Sequence, residues 1–204
     1  MTLDSGPAVP GLIGHFERTL GMIEAGWSVD PDGAEMPYQI AQFTGGSDED
    51  SVGYSTIGLS RHSLATTSSD QTIRQELLML APKSMQPDLP AGFIHQVASM
   101  VLTTHQALLR GSVIGPAGAL VPGSELTALY VTMPSYFPVD FATYPGDDGD
   151  IAIVWLVPIT SNEANFVAKY GWDPFEDALV EQDPDLVDFH RPEMELYPSA
   201  TPGR

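Results

Sequence analysis

The sequence contains no cysteine and few basic residues. Without cysteine, the chain can form no disulfide bond, no thiolate nucleophile and no cysteine-ligated zinc or iron–sulfur site. Eight Lys and Arg residues against 27 Asp and Glu residues give a net charge of −19. Such a surface repels nucleic-acid phosphates and anionic lipids, and it attracts basic proteins. We therefore expect a basic protein partner, no nucleic acid and no membrane; the alternative is that the acidity only keeps the protein soluble.

Long apolar segments are also missing. Met1 to Pro10 carries neither Lys nor Arg, so this segment lacks the pattern of a secretory signal. The most apolar stretch, Ile151 to Ile159, is too short to cross a bilayer. The expected location is the cytoplasm.

Common catalytic signatures are absent as well. The sequence has no Gly-Lys pair and therefore no P-loop, and no His-Glu pair and therefore no HExxH zinc helix. No stretch fits GxSxG, and no GxGxxG follows a predicted strand. These motifs therefore assign no catalytic residue, although their absence leaves an unfamiliar site open.

One polar cluster keeps an enzymatic alternative open. Ser60 lies two residues from His62, which suggests a nucleophile and its base. Neighbouring positions at a strand end rarely bring the two side chains together, and no acid follows to orient the imidazole, so a structural role is favoured. Glu76 lies in an apolar run and either faces solvent, the favoured interpretation, or is buried with a partner. The alternative function is an enzyme with an unrecognised pocket around Ser60, His62, Arg74 and Glu76.

Potential metal ligands do not form a recognisable site. The carboxylates of Asp147, Asp148 and Asp150 lack the spacing of an EF-hand loop, so we interpret them as a solvated turn. His95 and His105 lie ten residues apart on one predicted helix, too far to share an ion by themselves. No metal site is predicted.

The hydrophobic pattern predicts an α/β fold. Apolar residues with helical spacing run from Leu12 to Ile23, with Gly26 as the stop and a loop over residues 27–36. A second, broader apolar face predicts a helix over residues 89–109. Predicted strands cover residues 38–43, 52–60, 73–80, 127–133 and 150–159, and the first two should form an antiparallel hairpin.

Two short helices should follow the last strand. Thr160 and Glu163 have the spacing of a capping box. Asp173, Pro174 and Glu176 supply an N-cap, a first-turn proline and an acid for the second helix. The expected domain organisation is a flexible tail over residues 1–9, one domain over residues 10–182 and an acidic extension over residues 183–204.

Acidic and apolar residues alternate near the C-terminus. This composition predicts a docking strip in which apolar anchors lie among charges. The alternative is a helix whose apolar side packs on the core while its charges stay in water. The candidate partner-binding residues are Phe175, Asp177, Glu181, Asp183, Asp185 and Phe189.

Several segments, taken in order over residues 12–181, resemble the suppressor of fused domain family. They are YQIAQF from Tyr38, GYSTIGLS from Gly53, RQELLM from Arg74, LVPGS from Leu120, VPIT from Val157 with Glu163, and Gly171 before FED at Phe175. The resemblance implies a compact α/β domain with a mixed, largely antiparallel central sheet flanked by helices, and it implies neither enzyme activity nor a cofactor. It implies structural roles for the motif positions Gly58, Leu59, Ser60, Glu76, Pro122, Gly123, Pro158, Glu163 and Gly171.

The resemblance also carries an expectation about function. The animal namesake of the family is a two-lobed cytoplasmic regulator that clamps a transcription-factor peptide between its lobes, and this chain is similar to the first lobe only. Stand-alone bacterial members include immunity proteins that neutralise toxins, and the chain resembles these more closely. We therefore expect a protein-binding domain that sequesters or neutralises a partner, with a basic toxin as one candidate.

Overall fold

The structure, a computed structural model, describes residues 11–46, 49–67 and 69–197. The tail predicted over residues 1–9 and the last seven residues of the predicted extension lie outside this part. The chain divides into two compact units. Among the described residues, the first comprises residues 11–107 and 133–155, and the second comprises residues 108–132 and 156–197.

The helices and strands follow one another in mixed order along the chain. The helices are α1 (Gly11–Leu20), α2 (Asp88–Thr104), α3 (Ser161–Tyr170) and α4 (Trp172–Gln182). The strands are β1 (Gly21–Val29), β2 (Glu35–Gly45), β3 (Ser51–Ile57), β4 (Leu64–Thr66), β5 (Ser69–Pro82), β6 (Val113–Ile114), β7 (Leu126–Thr132), β8 (Thr143–Gly146) and β9 (Gly149–Thr160). Short 3-10 turns cover Leu59–Arg61 and Val139–Ala142.

The first unit is built on a mixed sheet. Its strand order is β1-β2-β3-β5-β9, with β4 beside β5 and β8 beside β9. All of these pairs are antiparallel except β5 and β9, which run parallel with Glu76 opposite Ile153. The predicted fold class, an α/β fold with a mixed, largely antiparallel sheet flanked by helices, is confirmed.

Two helices cover opposite faces of this sheet. Phe16 of α1 contacts Phe43 of β2, with ring centroids 5.6 Å apart. Tyr38, also on β2, points the other way and places its hydroxyl 3.1 Å from Nδ1 of His95 on α2. Residues an odd number of positions apart on a strand face opposite sides, so α1 and α2 lie on different faces.

The second unit combines a hairpin with two helices. Strand β7 pairs antiparallel with β6, and Val113 lies opposite Tyr130. Residues 156–160 of β9 belong to this unit and lead into α3. The predicted capping box is present at the start of α3, because the Thr160 hydroxyl accepts from the Glu163 amide and the Glu163 carboxylate accepts from the Thr160 amide.

Several predicted elements agree closely with the structure. Residues 39–43 pair antiparallel with residues 53–57, as the predicted hairpin requires. Residues 73–80 lie within β5, and the 150–159 strand corresponds to β9. Ile153 and Trp155 are 2% and 0% exposed, so β9 runs through the core.

The predicted end of the first helix is wrong. The helix stops at Leu20 and not at Gly26, and Gly21–Val29 forms a strand paired with β2. Gly21 has φ +89° and ends the helix, as glycine often does. The helical spacing of Ile23 was fortuitous, since this side chain lies on β1 opposite Phe43.

The predicted cap of the last helix is also wrong. Gly171 and not Asp173 occupies the N-cap position of α4, and no side chain caps its first turn. Asp173 lies one residue inside the helix and is exposed. Residues 183–197 form no helix or strand, yet the side chains of Leu186, Phe189, Arg191 and Met194 are buried. This segment therefore packs into the second unit, of which it is a part.

Gly21 should tolerate no side chain. A Cβ at Gly21 would lie 2.0 Å from the Thr44 carbonyl oxygen, whereas at Gly33 nothing lies within 4 Å, and the two φ angles are +89° and +84°. We expect Gly33→Ala to lower the free energy of unfolding by about 1 kcal/mol through the backbone angle alone. Gly21→Ala should lower it by about 3 kcal/mol, because the backbone must also move. Urea denaturation measures both, and equal losses would contradict the prediction.

Candidate protein-binding surface

A buried carboxylate organises the loop between β3 and β4. Glu76 is 0% exposed. Its oxygens accept hydrogen bonds from the hydroxyls of Thr56 at 2.5 Å and Ser60 at 2.7 Å. They also accept from the backbone amides of Gly58, Leu59 and Ser60 at 2.8, 3.2 and 3.1 Å. The predicted solvent-facing position of Glu76 is therefore wrong, and the carboxylate holds the 3-10 turn against the sheet.

Local backbone geometry makes this arrangement possible. Gly58 has φ +98°, which turns the chain out of β3 so that three successive amides converge on one point. Burial raises the pKa of the Glu76 carboxyl, and the hydrogen bonds from Thr56, Ser60 and Gly58 oppose that rise. The converging amides thus form an anion-binding loop, and the group that they bind is the protein's own Glu76 carboxylate.

The structure brings Ser60, Arg74 and Glu76 together but does not pair Ser60 with His62. The Ser60 hydroxyl donates to Glu76 and not to His62, and Arg74 donates to the Ser60 carbonyl oxygen at 2.8 Å. Glu76 has no exposed surface, so its carboxylate cannot reach a substrate. The cluster that sequence patterns suggested as a pocket is a structural hydrogen-bond network.

A second buried carboxylate ties the C-terminal segment to α3. Glu163 is 0% and Arg191 is 2% exposed, and the two side chains form a bidentate ion pair at 2.8 and 2.7 Å. Glu163 also accepts from the Met194 amide at 3.0 Å. Arg191 donates to the Pro158 carbonyl oxygen at 3.1 Å. Two predicted motif positions, Pro158 and Glu163, therefore meet at a residue that sequence reasoning left in an extension.

The other motif positions occupy turns. Gly123 has φ +80° in the turn after Pro122, where the Ser124 amide donates to the Val121 carbonyl oxygen at 3.1 Å. Gly171 has φ +87° and ends α3, with its amide donating to the Val167 carbonyl oxygen at 2.8 Å. Leu59 is 0% exposed and lies in the core.

A third carboxylate is held at the start of α4. Glu176 accepts from Tyr130 at 2.8 Å, from Thr132 at 2.9 Å and from Nε of Arg110 at 3.0 Å. The Arg110 guanidinium also lies 4.1 Å from the ring centroid of Trp172. Burial would raise the pKa of Glu176, but the hydrogen bonds and charge of these partners outweigh it and lower the pKa.

The predicted apolar anchors are not available to a partner. Phe175 is 0% exposed and packs edge-on against Tyr130 at 4.8 Å, and Phe189 is 1% exposed. Their prediction as partner contacts is wrong, because both rings lie in the core of the second unit. The pattern of apolar residues among charges instead reflects an amphipathic helix and a following segment whose apolar side chains are buried. This agrees with the alternative interpretation, in which the apolar side packs on the core and the charges stay in water.

The predicted acidic residues remain on the surface. Asp177, Glu181, Asp183 and Asp185 are all exposed, and we name these four residues the acidic strip. Between residues 173 and 197 the sequence has one basic residue, Arg191, which is buried in its ion pair. No exposed Lys or Arg of this segment therefore neutralises the strip.

Sequence reasoning missed a cleft in the first unit. It holds about 380 Å³ and is lined by β1, β2 and the first half of α2, including Trp27, Met36 and His95. Trp27 donates from Nε1 to Asp88 at 3.0 Å, which fixes its ring. The available signal for this cleft was Trp27, a large aromatic residue followed by acidic residues in the sequence. It was missed because residues 27–36 were interpreted as a loop.

Comparison with known proteins identifies the family. The family model described as Suppressor of fused protein (SUFU) matches residues 34–192. The chain belongs to the suppressor of fused family. A comparison with curated protein sequences finds no match.

Solved structures share the fold at low sequence identity. A putative SUFU homolog from Neisseria gonorrhoeae FA 1090 superposes with a TM-score of 0.70 at 18% identity, covering 90% of this chain and 94% of the homolog. The Sufu–Fu complex structure gives a TM-score of 0.65 at 16% identity over 91% of this chain and 89% of the matched chain. Drosophila Suppressor of Fused gives 0.57 at 17% identity, and the match covers 79% of this chain but 42% of the fly protein.

The described residues show neither a membrane helix nor a metal site. None of the helices in this part of the chain combines the length and the apolar composition that a bilayer crossing requires. Within residues 11–46, 49–67 and 69–197, no three His, Asp or Glu side chains group closely enough to hold a metal ion.

Removing the charge of Glu76 should destabilise the protein strongly. In Glu76→Gln an NH₂ group replaces one acceptor oxygen and confronts amide and hydroxyl donors. We expect the free energy of unfolding to fall by about 3 kcal/mol or more. The control Glu125→Gln removes an exposed charge and should change it by less than about 0.5 kcal/mol. Equal stabilities of the two variants in urea denaturation would show that the Glu76 network is dispensable.

The contribution of Glu176 should depend on pH. Its pKa is lowered from the ordinary value of 4.5, so the ionised form favours the folded state above that value and the benefit disappears as pH falls through the folded pKa. The stability difference between the wild type and Glu176→Gln should therefore shrink as pH falls below 4.5. Thermal unfolding of both proteins across this range measures it, and a difference that stays constant down to about pH 2 would contradict the assignment.

Proposed function

We propose that this chain is a non-catalytic, cytoplasmic protein-binding domain that sequesters or neutralises a basic protein partner. A protein toxin is the partner class that we favour, which would make the chain an immunity protein. The observation that carries the proposal is the acidic strip, four exposed carboxylates in a segment whose one arginine is buried.

The charge distribution supports a role in association. The whole chain has a net charge of −19, and charges of one sign that lie together on a surface steer an oppositely charged partner toward it. Val180, on the helix that carries Asp177 and Glu181, is 83% exposed. Val180 therefore offers apolar contact area beside the strip, whereas Phe175 cannot contact a partner because it is buried.

The family supports protein binding as the general activity. Suppressor of fused is a member that forms the solved Sufu–Fu complex, and binding another protein needs no catalytic group. The carboxylate that an enzymatic alternative would use, Glu76, is fully enclosed. Binding is therefore the function that the surface of this protein supports best.

Neutralising the acidic strip should slow partner association. We expect the combined variant Asp177→Asn, Glu181→Gln, Asp183→Asn and Asp185→Asn to associate about tenfold more slowly at low salt, with little change in dissociation. Wild-type association should also slow as salt rises, since the Debye length falls to about 8 Å at physiological ionic strength. The partner is captured by pull-down, identified by mass spectrometry and then measured by surface plasmon resonance.

A control with the same change in charge separates local docking from global attraction. It combines Glu125→Gln, Asp147→Asn, Asp148→Asn and Asp150→Asn, all at exposed positions. Its association should slow less than that of the strip variant, and both should keep the wild-type melting temperature. Association that is independent of salt, or equally slow in both variants, would leave solubility as the role of the strip.

A further inference from the structure

Strand β1 forms one edge of the sheet in the first unit. Among the described residues it pairs with β2 alone. Most of its residues are exposed, including Met22 at 63% and Val29 at 49%. An edge strand directs alternate backbone N–H and C=O groups away from its neighbour, where they can pair with an added strand.

Clefts flank this edge on both faces of the sheet. The α2-side cleft is the 380 Å³ cavity lined by Trp27, Asp30, Asp88 and His95. The α1-side cleft holds about 210 Å³ and is lined by residues that include Ile13 and Ile23. Since successive side chains of a strand point to opposite faces, a strand added beside β1 would direct its side chains alternately toward the two clefts.

The two clefts differ in chemistry. Asp30 and Asp88 lie in the lining of the α2-side cleft beside Trp27, and an indole face with nearby carboxylates suits a Lys or Arg side chain. The α1-side cleft has an apolar lining at Ile13, Ile23 and Ala41 and suits an apolar side chain. Neither lining contains Lys or Arg.

The field at this edge is negative. Glu24 on β1 is exposed, as are Asp32 in the turn after β1 and Glu35 at the start of β2. Burial, together with the negative charges of Glu24 and Asp88, raises the pKa of Tyr54 to about 12. A cationic segment is therefore attracted to the edge.

The same features disfavour pairing with a second copy of this chain. Two copies joined at β1 would bring together two edges with exposed carboxylates on molecules of −19 charge each. The β1–β2 register also shifts between Ile23 and Ala25 and between Trp27 and Val29. Bulges and edge charges are features by which sheets avoid self-association. A basic partner strand, in contrast, is attracted by the carboxylates at this edge.

We propose that β1 adds an extended segment of a basic partner protein as a further strand, with Lys or Arg side chains entering the α2-side cleft and apolar side chains entering the α1-side cleft. The inference rests on the proposed function, since it presupposes a basic protein partner, and it assigns that partner a second surface that does not include the acidic strip.

A synthetic peptide tests the strand addition directly. The probe is a nine-residue peptide of alternating Val and Lys with blocked ends, and its binding is followed by fluorescence anisotropy. Hydrogen–deuterium exchange should show protection confined mainly to residues 21–29. A peptide with Asp in place of Lys should not bind. The proposal is overturned if the probe does not bind at about 1 mM, the concentration at which a Kd corresponds to a binding free energy near −4 kcal/mol. It is also overturned if protection appears elsewhere in the chain.

Backbone methylation distinguishes strand pairing from charge attraction. Two further probes carry N-methyl groups either on every Val or on every Lys nitrogen, and in a paired strand one of these sets faces β1 while the other faces outward. One probe should therefore lose binding while the other keeps it. If both bind as tightly as the parent, or if neither binds, strand addition is wrong.

Protein variants test the α2-side cleft. Asp30→Asn with Asp88→Asn should weaken binding of the Val-Lys probe about tenfold. The matched control Asp147→Asn with Asp148→Asn removes the same charge from an exposed turn and should change affinity less than about twofold. Equal effects would overturn the cleft assignment. Because the probe assay needs no captured partner and leaves the acidic strip intact, failure here and failure of the proposed function are separate results.

Discussion

The buried carboxylate of Glu76 fixes the geometry on which the first unit depends. It lies on β5 opposite Ile153 of β9, at the parallel pair of the sheet. Its hydrogen bonds reach Thr56 at the end of β3 and the amides of the following turn. A single anion thus joins the middle of the sheet to the exit of its neighbouring strand. Without an acceptor at this point, three converging amides would be buried and unsatisfied, which is costly in a protein interior.

Carboxylates held by several donors also occur in the second unit. Glu163 is buried against Arg191 and backbone amides, and the partly exposed Glu176 is held by Arg110, Tyr130 and Thr132. The chain has eight basic residues, and two of them stabilise these carboxylates. Each of these pairs cancels one positive and one negative charge, so the net charge of −19 remains with the rest of the chain.

The two surfaces that we assign to partner binding rest on different physics. The acidic strip acts through long-range attraction, which salt screens and which mainly affects the rate of association. The β1 edge acts through backbone hydrogen bonds and side-chain burial, which mainly affect how long a complex persists. An acidic domain that sequesters a basic protein benefits from both, because rapid capture is useful only when release is slow.

The sequence alone determined the elements whose signals are local. The hairpin of residues 39–43 and 53–57, the strand through Ile153 and Trp155, and the capping box of Thr160 and Glu163 follow from alternation and from spacing over a few residues. It also determined the absence of cysteine chemistry and the net charge of −19 on which the proposal of a basic partner rests. The tertiary structure decided what depends on distant neighbours: that Gly21 ends a helix against the Thr44 carbonyl, that Glu76 is buried among donors and that Phe175 and Phe189 lie in the core. These outcomes could not be predicted because a side chain's environment is set by residues far away in the chain, and local periodicity carries no information about them.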